Sequence, residues 1–236
     1  DGELVFDGSS MVFNKEGNLI FLGKKFENDI FLFDYEDLFN EGKQINALEN
    51  PIEDLYQSLT KALKDYFQRN KFSKAFIGIS GGIDSAVVAA LAKDALGENN
   101  VRGLCMITKF TSRESISDSK ILAKNLNIKL EQIYIKDIYE SILETLHPYF
   151  DKLAFDKTEE NIQARIRGLI LMAFANKFNG LVISTANKTE TALGYTTLYG
   201  DMCGAIAPLA DVSKENVYKL AKFINQNGKK ELIPQT

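Results

Sequence analysis

With 236 residues, 45% of them hydrophobic, the chain is long enough for one full α/β domain plus a small appendage, and for a buried core. Its 28 basic and 32 acidic residues give a net charge of −4 and are mixed along the chain, which argues against a general nucleic-acid binder. Cys105 and Cys203 stand far apart, without a CxxC pair or histidine cluster, and no apolar run approaches the ~18 residues of a membrane span. A disulfide framework, structural zinc and a membrane are therefore not expected, and a cytoplasmic setting is.

In chain order, Leu4 to Phe33 holds short apolar pieces separated by turn residues: Leu4-Val5-Phe6, Met11-Val12-Phe13, Leu19-Ile20-Phe21 and Ile30-Phe31-Leu32-Phe33. Lys15-Glu16-Gly17-Asn18 reads as a hairpin loop between two of them. Asp34 to Pro51 is polar and reads as a linker, with Asn50-Pro51 setting up the next helix. Ile52, Leu55, Leu59, Leu63, Tyr66 and Phe67 then recur at helical spacing over residues 51–68.

After that helix, strand-like runs at 75–79, 101–107, 130–135 and 181–184 alternate with helical stretches near 85–96, 117–126, 138–149 and 161–178, and a last amphipathic helix covers 215–227. Alternation of this kind predicts an α/β fold, a parallel sheet with helices on both faces. Ligands of such sheets bind beyond the carboxyl ends of the strands, where the winding direction reverses. The chemically suggestive motifs fall at those ends.

The strongest of them is Gly78-Ile79-Ser80-Gly81-Gly82-Ile83-Asp84-Ser85, between an apolar strand and a helix-forming run. Glycines allow a tight turn that brings backbone N–H groups close to a polyphosphate, Ser80 and Ser85 add hydroxyls, and the following helix aims its positive end at the anion. The run lacks the lysine of GxxxxGK[ST], and Asp84 suggests Mg2+ held against pyrophosphate. Asn161 and Arg165 share one face of a helix opened by Glu160 to Gly168, an amide beside a guanidinium; Arg167 points elsewhere. In Ser184-Thr185-Ala186-Asn187-Lys188-Thr189-Glu190, Thr185 and Lys188 suit a phosphate and Glu190 a second carboxylate for the metal; alone, the stretch reads more readily as a loop or helix cap. Gly194 to Met202 adds Tyr195, Tyr199 and Asp201 in a glycine-rich loop.

Residues Ser80 to Ser85 resemble the SGGxDS signature of the ATP pyrophosphatases, enzymes that split ATP between its α- and β-phosphates; GMP synthetase, argininosuccinate synthetase and tRNA-thiolating enzymes share it. NIQARIR, STANKTE, GYTTLYGDM and Asp211 to Tyr218, in this order, resemble NAD synthetase over about residues 52 to 228. The resemblance implies an adenine nucleotide alpha-hydrolase-like fold over 51–236 and a homodimer that amidates deamido-NAD through an adenylate, releasing AMP and pyrophosphate, with ammonia as nitrogen donor for this stretch and glutamine for the intact protein. ATP would bind Gly78, Ile79, Ser80, Gly81, Gly82, Ile83, Asp84, Ser85, Thr185, Lys188 and Lys214. Deamido-NAD would bind Asn161, Arg165, Glu190 and Asp201. Mg2+ would bind Asp84 and Glu190, with Asp84 and Asp201 the catalytic carboxylates. Residues 1–33, with Glu3 to Ser10, resemble the closing strands of the nitrilase-type glutaminase domain of glutamine-dependent members, joined by a linker over 34–50, so the chain reads as a piece cut at both ends. Ile107, where the family often has proline, and Ala205 to Pro208 depart from the pattern without removing a candidate ligand. Two rivals stay open: another SGGxDS amidase or thiolase, and a module that binds nucleotide without turnover.

Overall fold

The structure is a computed structural model that describes residues 4–32, 34–36, 50–150, 153–228 and 231–234. The chain divides into two compact units, Asp1–Ala62 and Leu63–Thr236. Most of the span expected as a linker, residues 37–49, lies outside the described residues.

In the first unit β1 (Met11–Phe13) and β2 (Leu19–Leu22) pair antiparallel, Met11 opposite Leu22. The turn between them is fixed as its sequence suggests: the Asn14 side-chain oxygen accepts from the Asn18 and Glu16 backbone N–H groups at 2.8 and 3.2 Å, and Gly17 takes φ +82°. The outer two apolar pieces behave differently. Leu4 to Phe6 and Ile30 to Leu32 form no strand, and Phe6, Ile30 and Leu32 stand exposed. Helix α1 (Pro51–Arg69) starts where Pro51 needs no amide partner, and Asn50 and Glu53 exchange side-chain and backbone bonds at its head.

The second unit is built on four parallel strands in the order β5-β4-β3-β6: β3 (Lys74–Gly78), β4 (Val101–Ile107), β5 (Lys129–Tyr134) and β6 (Gly180–Val182). Between them run α2 (Ile83–Leu96), α3 (Arg113–Leu126), α4 (Lys136–Phe150) and α5 (Lys157–Phe178), followed by α6 (Lys188–Leu193) and α7 (Lys214–Asn227). The strands alternate their faces. Phe76, Leu104 and Met106 pack with Ile135, Tyr139, Ile166, Leu171 and Ala175 of the α4–α5 side, while α2, buried along Ser85 to Ala92, packs on β3, β4 and α7. Helices cover both faces, as the alternation predicts.

Two details depart from expectation. Helix α5 opens at Lys157 rather than near Asn161, because Asp156 and Glu159 close a capping box with two otherwise unpartnered N–H groups. In the stretch read alternatively as a loop or helix cap, Asn187 is indeed a cap, and what the sequence did not show is the short helix α6 that it heads, too brief for periodicity to reveal. Because β3 to β5 step one way and β6 returns to the other side of β3, the winding reverses between β3 and β6. The glycine run follows β3 and STANKTE follows β6, so both emerge at that reversal. Among the described residues, no helix is long and apolar enough to cross a membrane.

Candidate active site

The loop leaving β3 is tied by its own hydroxyls. The Ser85 hydroxyl donates to the Gly82 carbonyl at 2.9 Å, lies 3.2 Å from the Ser80 hydroxyl and accepts from the Ser80 N–H, while the Gly82 N–H donates to Ser80 Oγ at 3.1 Å. Ser85 is buried and Ser80 exposed. Gly81 sits at φ +84°, and a Cβ there would lie 2.7 Å from the backbone of Ser115, so only glycine fits. Gly82 precedes the first turn of α2 without a side-chain cap, leaving the positive end of that helix open to a ligand anion.

Beside this loop the structure gathers four of the residues singled out by sequence, or their immediate neighbours. Lys214 Nζ pairs with Asp84 Oδ2. Asn187 Nδ2 donates to Asp84 Oδ1 at 2.9 Å, while Asn187 Oδ1 accepts from the Glu190 N–H at 3.0 Å and Glu190 Oε2 accepts from the Asn187 N–H at 3.1 Å. Asn187, fully buried, thus joins the two candidate metal carboxylates. Lys214 reaches Asp84 because the heads of α6 and α7 are laced together: the Lys188 N–H donates to Val212 O at 3.0 Å and the Lys214 N–H to Thr189 Oγ1 at 3.1 Å. The Lys188 residue itself is exposed.

Asn161 and Arg165 meet a different partner, the loop 195–202. Thr197 Oγ1 donates to Asn161 Oδ1 at 2.7 Å, and Arg165 Nε donates to Leu198 O at 3.3 Å. Asp201 Oδ1 accepts from the Thr197 N–H at 2.7 Å, and Ser184 Oγ donates to Asp201 O, which ties the loop to the end of β6. The loop lies so close to α5 that a Cβ at Gly168 would stand 2.6 Å from Tyr199 O.

Two cavities flank the glycine loop. One of about 940 Å3 is lined by Gly81, Gly82, Asp84 and Lys214 with α7 and residues Glu231 to Pro234. The other, of about 270 Å3, lies over the strand ends and is lined by Gly78, Ile79, Ser80, Met106, Leu171, Thr185, Arg167 and Asp201. An apolar pocket with convergent polar groups at a winding reversal suits a small ligand such as a nucleoside. Sequence reasoning gave no role to Asn187 or to Arg167, which lines the smaller cavity. Asn187 stood within the quoted STANKTE run, but its bond to Asp84 spans 103 positions and leaves no local signal.

A metal fits the donor set. Among the described residues no group of three or more His, Cys, Asp or Glu side chains forms a complete site. Mg2+ asks for less: it keeps waters and phosphate oxygens and takes one or two protein carboxylates, the hard oxygen donors that Asp84 and Glu190 offer.

A parallel sheet with a glycine loop, an uncapped helix end and a lysine–carboxylate pair at its reversal defines a nucleotide-handling α/β domain. Residues 55–236 match the NAD synthase family, and the chain belongs to it. It is 41% identical over 267 residues to the glutamine-dependent NAD(+) synthetase of Thermotoga maritima, covering 99% of this chain and 46% of that protein. The structure of the glutamine-dependent NAD+ synthetase of Acinetobacter baumannii, solved in complex with ADP, superposes with a TM-score of 0.94 at 38% identity, over 98% of this chain and 44% of the other. The NH3-dependent NAD synthetase of Campylobacter jejuni superposes with 0.69 at 31% identity, over 75% of each chain. The chain spans less than half the length of the glutamine-dependent relatives named here.

Proposed function

We propose that the chain amidates deamido-NAD to NAD, using ATP and ammonia, through an adenylated carboxylate. The observation that carries this reading is the conjunction of the SGGIDS loop with the Asp84–Lys214–Asn187 cluster at the sheet's reversal, in a chain of the NAD synthase family. The ADP held by the Acinetobacter relative supports a nucleotide site.

A carboxylate resists ammonia because its charge and resonance make it a poor electrophile, so it must first gain a leaving group. An oxygen of the nicotinate carboxylate attacks the α-phosphorus of ATP while the bond to the β-phosphate breaks. The amides of Gly81 to Asp84, the helix end and Lys214 stabilise the charge on the departing pyrophosphate. Asp84 and Glu190 would hold Mg2+, which supplies further charge neutralisation on those phosphates. Ammonia then attacks the acyl carbon, AMP leaves, and one proton is released; Asp201, exposed at the mouth of the loop, is the group to accept it. Asn161 and Arg165 hold the dinucleotide, Thr185 and Lys188 the phosphates of ATP, and positioning does most of the work.

The finer organisation follows the same reading. Residues 1–33 are the closing strands of a nitrilase-type domain, 34–50 a linker and 51–236 the synthetase, in the cytoplasm. Exposed Leu169, Met172, Leu198, Tyr199 and Met202 form an apolar face on α5 and its loop, and a second copy covers it in a homodimer. Light scattering that found only monomer would remove that part.

The decisive assay incubates the protein with deamido-NAD, ATP, Mg2+ and ammonium and follows NAD, AMP and pyrophosphate together. Equimolar formation of all three is expected. Binding of ATP without AMP formation would leave a nucleotide-binding module, and AMP release that ignores deamido-NAD would point to another SGGxDS enzyme.

A further inference from the structure

Arg167 is left over once the site above is assembled. It stands in α5, two positions beyond Arg165, and lines both the 270 Å3 cavity over the strand ends and a neighbouring cavity of about 540 Å3 bounded by Thr108, Thr111, Ser112, Ser115 and Gln163. Ser80 and Thr111 line the same two cavities. Asp201 borders one of them and Glu160 the other, yet the Arg167 guanidinium makes no hydrogen bond or ion pair with any described residue.

A half-buried guanidinium with no acceptor is costly to keep. Its five N–H donors have lost part of their water, and burial pushes its pKa below the ordinary arginine range. The charge stays on even so, because the guanidinium begins far above neutral pH. A cation in this state, rimmed by hydroxyls and facing a cavity, is preorganised for an anion with several oxygens, and a phosphoryl group matches the fork of donors.

The two sides of the glycine loop say which phosphoryl group it is. Gly81, Gly82, Asp84 and Lys214 face the larger cavity, on the side assigned above to the departing pyrophosphate. Ser80 and Arg167 face the smaller one, whose lining of Ile79, Met106 and Leu171 suits the nucleoside. Between nucleoside and pyrophosphate lies a single phosphate. We propose that Arg167 binds the α-phosphate of the nucleotide on the nucleoside side of the loop, and keeps hold of it when AMP forms; this rests on the ATP-dependent reading above. The division of labour is chemical: Lys214 holds the part that leaves, and Arg167 the part that the carboxylate acquires.

Calorimetric titration of the full chain and of Arg167→Met with adenosine, AMP and pyrophosphate separates these roles. The wild-type chain should bind AMP at least about tenfold more tightly than adenosine, a usual size for a charge-assisted contact. In Arg167→Met that preference should fall to about twofold or less, with adenosine and pyrophosphate affinities unchanged and Arg167→Lys in between. Unchanged adenosine binding also certifies the fold of the variant. An AMP preference that survives in Arg167→Met, an equal loss for adenosine and AMP, or a loss confined to pyrophosphate would each overturn the assignment. Failure of the wild-type chain to bind either nucleoside or nucleotide would overturn the ATP-dependent reading, and this proposal with it.

Discussion

Asp84 shows what a single carboxylate does when both its oxygens are committed within the protein. Its Oδ2 faces the Lys214 ammonium and its Oδ1 the Asn187 amide, so the side chain is held in one orientation before any ligand arrives. Replacing it with asparagine removes the charge and turns an N–H2 group toward either the ammonium or the amide, two donors face to face. A charge-assisted bond of this kind contributes about 1.5–3 kcal/mol, less where one partner reaches water as Lys214 does. Asp84→Asn should therefore lose Mg2+-dependent AMP formation while its thermal midpoint falls by only a few degrees; near-normal turnover would take Asp84 out of the site. Asn187→Ser is the subtler variant. Serine caps α6 as well as asparagine does but does not span the distance to Asp84, so the helix cap is kept and only the bond to Asp84, with the stability it contributes, is lost. The Mg2+ concentration for half-maximal activity should rise several-fold, and binding of Mn2+ to the nucleotide-loaded protein, followed by electron spin resonance, should weaken in parallel. Metal affinity equal to wild type would reduce Asn187 to a helix cap. Asp84 was legible in the sequence because glycine loop, carboxylate and helix are contiguous. Asn187 was not, since a cap and a positioning group look alike until the fold brings residue 84 alongside.

At the scale of elements, the sheet and its long helices follow from periodicity alone, and their errors are confined to ends where caps decide. The start of α5 is one such end: Asp156 and Glu159 set it through side-chain bonds that an apolar pattern does not register. The loop 195–202 is the reverse case. Its residues show neither helical nor strand periodicity, yet it is docked on α5 through Asn161, Arg165 and a backbone approach that only Gly168 allows. Gly168→Ala tests that docking, because two effects oppose each other. Alanine favours a helix interior by about 1 kcal/mol, whereas its methyl group would overlap Tyr199 O, and overpacking of this sort costs about 1–3 kcal/mol. The clash should win. The denaturant midpoint should fall, and affinity for deamido-NAD should drop more than affinity for ATP, since Thr197 and Leu198 bond Asn161 and Arg165, the side chains proposed above to hold the dinucleotide. A midpoint that rises would mean that the loop yields freely and that the docking is loose.

For the molecule as a whole the chemical question is the nitrogen donor, and on the proposed reading the two cysteines bear on it for this polypeptide. Taking the amide nitrogen from glutamine requires a thiolate or an equivalent nucleophile beside a base. Cys105 is buried in β4, and burial raises its thiol pKa above the ordinary value against the smaller opposing effects of Ser119 and Lys120. Cys203, next after the docked loop, is likewise raised by burial, and its thiol lies 3.8 Å from the Gly168 carbonyl. A raised pKa leaves less thiolate near neutral pH, so both thiols are weaker nucleophiles there than a free cysteine. The chain of 236 residues should accordingly form NAD, AMP and pyrophosphate from ammonium and form no NAD above background when glutamine is the only nitrogen source. The same assay run with Cys105→Ser and Cys203→Ser should give ammonium-dependent rates within a few-fold of wild type, because the proposed amidation uses neither thiol. Glutamine that supported synthesis as well as ammonium, with contaminating ammonia removed, would show that a nucleophile for it exists in this chain and that residues 1–33 are more than closing strands.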